Sequence, residues 1–351
     1  MSVVRVNGDL LAGDTATDAH DRVALSVRDL VVDVWTDRGW LTAVDGVSYD
    51  LRPGETLGIV GESGSGKTLH AYGVMGLLDN PRLRIASGQV LLDGVDLVGR
   101  SYHELQAVRA RRISMIFQEP RRSLNPSLSV GRQIAEVVLA HERTSKKQAW
   151  DRAVEALDAV GIKNAPRRAR EHPHVYSGGM CQRAMIAMAV VLRPAVLICD
   201  EATTALDVTV QARVLDLLRK LQADLDLAIV IITHDLGVIA DISDRVGVMY
   251  AGQMVEQADV MKLFERPNHP YTAGLLNSVT NRGGSARRLV GLPGNVPQLG
   301  EWAQGCRFAP RCSHAAELCT SGELVMRPFD GQVVRCARVE ELQLQGLSRR
   351  E

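Results

Sequence analysis

From about residue 22 to residue 280, short runs of consecutive apolar residues alternate with stretches of helical periodicity. The runs Ala24–Val34, Thr56–Val60, Ile113–Phe117, Val196–Asp200, Ala228–Thr233 and Arg245–Tyr250 predict strands. The stretches Thr68–Leu78, Ser145–Val160, Gly179–Leu192, Val208–Asp224 and Leu236–Ser243 predict helices between them. That alternation predicts an α/β fold. Between Gln118 and about Tyr176 the strand-like runs stop and the pattern is helical, so residues about 119–178 form an inserted helical subdomain. The turn-rich Glu119-Pro120-Arg121-Arg122-Ser123-Leu124-Asn125-Pro126 leads into it. After residue 282 the character changes again. Gly283-Gly284-Ser285 reads as a linker, and 283–351 as a small loop-rich domain carrying four cysteines. Residues 1–21 are polar and irregular, a loose tail ahead of a core that spans 22–282.

A chain of 351 residues has room for two domains, and 41 acidic against 41 basic residues give no overall pull toward nucleic acid or anionic lipid. Only six of the basic residues are lysines, so a lysine inside a glycine loop stands out. No segment reaches the ~20 apolar residues that span a bilayer; the best, Met185 to Cys199, is broken by Arg193-Pro194. No secretory signal is visible, which predicts a cytoplasmic protein with reduced thiols and a membrane role only through partners.

The stretch Gly61-Glu62-Ser63-Gly64-Ser65-Gly66-Lys67-Thr68 follows one predicted strand and opens a helix. It satisfies the phosphate-loop pattern, in which backbone N–H groups and a helix N-terminus face the phosphates. Lys67 would reach the β- and γ-phosphates, and the Thr68 hydroxyl would bind Mg²⁺. Asp200-Glu201 ends a second buried strand; beside a phosphate loop, Asp200 is the natural Mg²⁺ holder and Glu201 the group that polarises water. Alone, such a pair is a solvated strand end. His234 sits at a third strand end on the same edge, where open α/β sheets bind ligands. Ser177-Gly178-Gly179 opens a helix and makes a second anion site. It is either an ordinary helix cap or it serves a phosphate held by a second molecule.

With these motifs in hand, the chain over about 22–280 resembles the ATP-binding subunits of ABC transporters. GESGSGKT is similar to their Walker A, Gln118 to the Q-loop and YSGGMCQ at 176–182 to the signature. Leu197 to Glu201 is similar to Walker B, Ala205-Leu206-Asp207 to the D-loop and His234 to the switch histidine. The resemblance implies a P-loop ATPase core with ATP and Mg²⁺ as ligands, Thr68, Asp200 and Gln118 around the metal, and Glu201, His234 and Gln118 in the catalytic set. It implies a sandwich of two cassettes, each ATP lying between one phosphate loop and the partner's Ser177, Gly178 and Gly179, with Asp207 beside it. Trp35, in preference to Trp40, resembles the aromatic that stacks on adenine. Tyr176 stands where Leu is usual, Met180-Cys181-Gln182 where a direct Gln is usual, and Ala202 where Pro is usual. None of these removes a catalytic group.

Ser123-Leu124-Asn125-Pro126, the run Thr204 to Gln211, His269-Pro270-Tyr271-Thr272 and the segment Gly305 to Cys312 further resemble the oligopeptide/dipeptide importer family. This implies a motor subunit bound peripherally to the cytoplasmic face of the cell membrane. Its partners would be two transmembrane permeases, a second cassette chain, expected as a paralogue, and an extracytoplasmic substrate-binding protein; no nucleic acid is expected. Relatives move nickel or other small solutes, and a soluble non-transport ABC ATPase is the other alternative. Cys306, Cys312, Cys319 and Cys336 are separated by five, six and sixteen residues, unlike common zinc knuckles. Clustered reduced thiols suit a soft metal. The resemblance implies a [4Fe–4S] cluster, with zinc or free thiols as alternatives.

Overall fold

Five of the six apolar runs lie side by side in one parallel sheet, and the sixth belongs to a different layer. The computed structural model describes residues 22–78, 80–202, 207–280 and 292–347. The expected tail 1–21, the linker at 283–285 and Ala205-Leu206 of the D-loop lie outside the described residues.

The strands are β1 (Leu25–Thr36), β2 (Gly39–Leu51), β3 (Thr56–Val60), β4 (Leu83–Leu92), β5 (Val95–Asp96), β6 (Ile113–Ile116), β7 (Val196–Asp200), β8 (Ala228–Thr233), β9 (Arg245–Tyr250), β10 (Gln253–Asp259), β11 (Arg327–Phe329) and β12 (Gln332–Val334). The helices are α1 (Lys67–Met75), α2 (Tyr102–Val108), α3 (Pro120–Ser123), α4 (Val130–His141), α5 (Lys146–Ala159), α6 (Ala165–Arg168), α7 (Gly178–Val190), α8 (Val208–Leu225), α9 (Leu236–Ile242), α10 (Val260–Glu265) and α11 (Pro270–Thr280).

The larger sheet has the order β11-β12-β10-β9-β3-β8-β7-β6, parallel from β9 to β6. Every residue of β3, β6, β7 and β8 is buried. That is why they read as continuous apolar runs: helices or a second layer cover both faces. Successive side chains alternate between two cores. Leu57, Ile59, Val196 and Ile198 pack with Leu30, Val32 and Val44 of the smaller antiparallel sheet, order β2-β1-β4-β5. Leu197, Cys199, Ile229 and Ile231 pack on the other side with α7, α8 and the helical insert.

The smaller sheet was hidden from the pattern apart from β1. In β2 and β4 only part of each strand is buried, so the apolar density falls and the alternation is broken. Gly88 marks a bulge opposite Asp29-Leu30, where φ is +96° and a Cβ would sit 2.5 Å from the Asp29 carbonyl oxygen. In sequence that glycine reads as a turn.

Between β6 and β7 the chain carries α3 to α7. Ser145 caps α5 through a reciprocal bond pair with Gln148. α5 packs on α4 and α7, and α7 returns to the sheet against β6. The C-terminal segment extends the same sheet: β12 pairs antiparallel with β10, Glu256 facing Val334. The two-residue Asp330-Gly331 turn, both φ positive, closes the β11–β12 hairpin as an Asp-Gly dipeptide should.

Candidate functional site

The carboxyl ends of β3, β8, β7 and β6 are neighbours on one sheet edge. Val60 lies beside Thr233, Asp200 beside Ile232 and Cys199 beside Ile116. The residues that follow these ends are the phosphate loop, His234, Glu201 and Gln118. Parallel topology alone gathers all four onto one edge.

The loop 61–66 turns on Gly64 and Gly66, at φ +80° and +97°, and Gly66 caps α1. A Cβ at Gly61 would collide with the Met249 carbonyl oxygen, so only glycine fits there. Lys67 is 6 % exposed. Its Nζ donates to the carbonyls of Gly61 at 2.8 Å and Glu62 at 3.0 Å, and to Ser65 Oγ at 3.2 Å. Burial holds its pKa below the ordinary lysine value, against the pull of Glu201 and Asp200. Thr68, one residue on, donates from Oγ1 to Asp200 Oδ1 at 3.2 Å and so bridges α1 to β7.

Asp200 is 1 % exposed, and that burial pushes its carboxyl up to about 6, with the Thr68 bond opposing. Glu201 takes a left-handed backbone, φ +47°, its N–H donating to the Ile232 carbonyl at 2.8 Å. Gln118 Nε2 donates to Glu201 Oε2 at 2.6 Å, and His234 Nδ1 lies 3.5 Å from Oε1. Lys67, Thr68, Gln118, Asp200, Glu201 and His234 therefore form one hydrogen-bonded or charge-coupled set. Gly61, Ser63, Gly64, Ser65 and Gly66 form the loop above it.

The second anion motif is elsewhere. Ser177 Oγ accepts from the Met180 N–H at 3.3 Å and caps α7, the bland alternative for this residue. Gly178 faces open space, whereas a Cβ at Gly179 would press on Val210 Cγ1 at 3.0 Å. Asp207 caps α8, accepting from the Val210 N–H at 2.9 Å. The starts of α7 and α8 thus pack together, and Val208 between Asp207 and that contact is 84 % exposed. Trp35 and Trp40 face each other across the β1–β2 hairpin, 5.3 Å apart and edge to face. Arg84 covers Trp40 at 4.1 Å, and Trp35 is 47 % exposed. Three residues beyond Trp40, the Ala43 carbonyl abuts Gly66 of the loop.

In the tail, Cys306, Cys312, Cys319 and Cys336 line a single cavity together with His269 and Phe308. All four are free thiols, and burial pushes Cys336 up to about 11 and raises Cys306 and Cys312. Among the described residues no three His, Cys, Asp or Glu side chains are grouped so as to hold a metal ion. No described helix is long and apolar enough to cross a membrane.

Tyr271 and Arg311, which lie in segments that carry the family resemblance, touch the loop directly. The Glu62 N–H donates to Tyr271 Oη at 2.9 Å, and Arg311 forks onto the Glu62 carboxylate at 2.6 and 3.0 Å. These contacts span 209 and 249 residues, and no local pattern signals them.

The ABC transporter family model matches residues 44–204, and the oligopeptide/dipeptide transporter C-terminal region matches 255–319. An oligopeptide transport ATP-binding protein of Escherichia coli is 47% identical over 320 residues, 91% of this chain and 94% of that one. One of Bacillus subtilis is 48% identical over 295 residues, 84% of this chain and 82% of that one. Among solved structures, a dimeric bacterial ABC transporter cassette superposes with TM-score 0.60 at 25% identity, covering 67% of this chain and 98% of that one. A dimeric cassette in a post-hydrolysis state with ADP and Pi gives 0.59 at the same identity and coverage. The chain belongs to the ATP-binding proteins of ABC transporters, in the oligopeptide/dipeptide branch.

Proposed function

We propose that this chain hydrolyses ATP to drive peptide uptake through a membrane complex. The observation that carries the reading is the linked set Thr68–Asp200 and Gln118–Glu201–His234 below a glycine loop on four adjacent strand ends. The backbone N–H groups of Gly61, Ser63, Gly64, Ser65 and Gly66, with Lys67, would cradle the phosphates. Thr68, Asp200 and Gln118 carry the oxygen ligands a magnesium ion prefers, and that ion supplies charge neutralisation at the phosphates. Glu201 orients and polarises the attacking water, with His234 and Gln118 fixing its two oxygens. Trp35 offers a free ring face for adenine, since Arg84 already occupies Trp40.

Ser177, Gly178, Gly179 and Asp207 serve the ATP of a second cassette, which we take to be a paralogous chain. The exposed Val208 beside them suits a surface that a partner covers. Two transmembrane permeases would dock the chain on the cytoplasmic face of the inner membrane, and an extracytoplasmic binding protein would choose the peptide.

For the tail we propose a [4Fe–4S] centre held by Cys306, Cys312, Cys319 and Cys336. The four thiols line one cavity, and four cysteine thiolates are the ligand set of such a cluster. Anaerobically purified protein should contain about four iron and four sulfide per chain; one zinc, or no metal, would overturn this part.

The overall reading is tested by affinity capture of the tagged chain from detergent-solubilised native membranes, with mass spectrometry of what co-purifies. Two multi-span permeases and a second cassette support it. Recovery of ribosomes or DNA-repair proteins, with the chain absent from membranes, would refute it.

A further inference from the structure

We infer that Arg311 is a positioning residue for the phosphate loop, setting ATP affinity from inside the cysteine segment. Arg311 ends the short turn Ala309–Arg311, one residue before Cys312. Its side chain is 7% exposed, and a guanidinium that deep must be paired. The pairing is a fork. Nη1 and Nη2 reach the two Glu62 oxygens at 2.6 and 3.0 Å, while Nε donates to the Pro293 carbonyl at 2.7 Å. The planar guanidinium fits this two-point contact, and a lysine could make only part of it.

Glu62 is the second residue of the loop. Its backbone is held at both ends, the N–H by Tyr271 Oη at 2.9 Å and the carbonyl by Lys67 Nζ at 3.0 Å. Its carboxylate is the third hold, and that one belongs to the tail. The same tail segment reaches the far end of the loop as well. Arg307 pairs with Asp45, donates to the Ala251 carbonyl at 2.5 Å and lies 3.6 Å over the Trp302 ring. Next to Ala251, the Gly252 N–H donates to the Ser65 carbonyl at 2.9 Å. Residues 306–312 therefore brace both Glu62 and Ser65, the two flanks of the turn that must fit the phosphates. A brace serving only the scaffold would end on the sheet; this one ends on the loop.

None of these contacts touches a reacting atom. Loosening them should weaken nucleotide binding and leave the bound complex competent once ATP is saturating. The test measures steady-state ATP hydrolysis by the full chain for Arg311→Met, Arg311→Lys, Glu62→Gln and the Glu62→Gln/Arg311→Met pair. Thermal unfolding and iron content are measured alongside. Arg311→Met and Glu62→Gln should each raise KM for ATP about tenfold, the effect of losing one charged hydrogen-bonded contact. In both, kcat should stay within about twofold. The double variant should be no worse than the poorer single, and Arg311→Lys should recover part of the loss. Glu62→Gln leaves the cysteine segment unaltered, so its KM separates the loop effect from any damage to a metal centre. If Arg311→Met fails to fold, Glu62→Gln and Arg311→Lys still decide. Wild-type KM in Glu62→Gln, multiplying effects in the double variant, or loss of kcat with KM unchanged would each overturn the inference.

Discussion

Asp200 is where the site should be measurably unstable without its ligand. Its carboxyl is raised to about 6 because it is buried at the end of β7, with Glu201 adding like charge. The unfolded chain releases the same proton near the ordinary value of about 3.9. Between those two pH values the folded state binds more protons, so stability falls as pH rises and the loss is complete above about pH 6. Two pH units at about 1.36 kcal/mol each set a ceiling near 3 kcal/mol. Asp200→Asn removes the ionisation and keeps an oxygen for the Thr68 hydroxyl. Without nucleotide at pH 7.5 it should be more stable than wild type by about 1–3 kcal/mol, read as a rise of roughly 2–6 °C in the unfolding midpoint. At pH 4.5, where the native carboxyl is protonated, the advantage should shrink to about 1 kcal/mol or less. Adding Mg²⁺ and ATP should raise the wild-type midpoint and leave the variant's nearly unmoved. Scanning fluorimetry across pH 4.5–8 reads all three. A variant no more stable than wild type at pH 7.5, or an advantage that does not shrink in acid, would refute the account of Asp200.

Glu201→Gln should bind ATP normally and hydrolyse it more than about a hundredfold more slowly, the scale of a lost general base; near-normal turnover in a phosphate-release assay would withdraw its assignment. Gly61→Ala should lose nucleotide binding in a fluorescent-ATP titration, because its Cβ meets the Met249 carbonyl and the loop must move; unaltered binding would show that the loop tolerates the shift. Trp35→Ala should weaken ATP binding by roughly 1 kcal/mol, about fivefold, with little change in unfolding midpoint. Trp40→Ala should do the reverse, since Arg84 packs on that ring. If the two variants exchange these effects, Trp40 is the adenine platform.

The parallel sheet was legible because burial on both faces writes itself as unbroken apolar runs, and β3, β6, β7, β8 and β9 all carry one. The edge that gathers the candidate site residues followed from them, since motifs after parallel strands must share an end. The antiparallel layer was not legible beyond β1. Its strands bury only part of their length, and Gly88 sits mid-strand where glycine reads as a turn. The Asp330-Gly331 turn was a usable local signal that the loop-rich look of the tail obscured. The hold of Arg311 and Tyr271 on Glu62 left no trace at all. It depends on where β9, β10 and α11 carry the chain, and periodicity does not encode that.

The polar side chains of the site are largely paired with one another. Lys67 donates to two carbonyls of its own loop, Thr68 to Asp200, and Gln118 to Glu201. Nucleotide therefore exchanges partners more than it adds them, and each exchanged hydrogen bond nets only about 1 kcal/mol or less. For a motor this is useful. A loop whose lysine had no resting partner would grip phosphate tightly and release product slowly. The Gln118–Glu201 bond has a further consequence. Gln118 follows β6 at the entrance to the helical insert, so a change at its bond to Glu201 would be felt both at the Glu201 carboxylate and at the α3 start. That bond would then couple chemistry on the rigid sheet edge to movement of the insert.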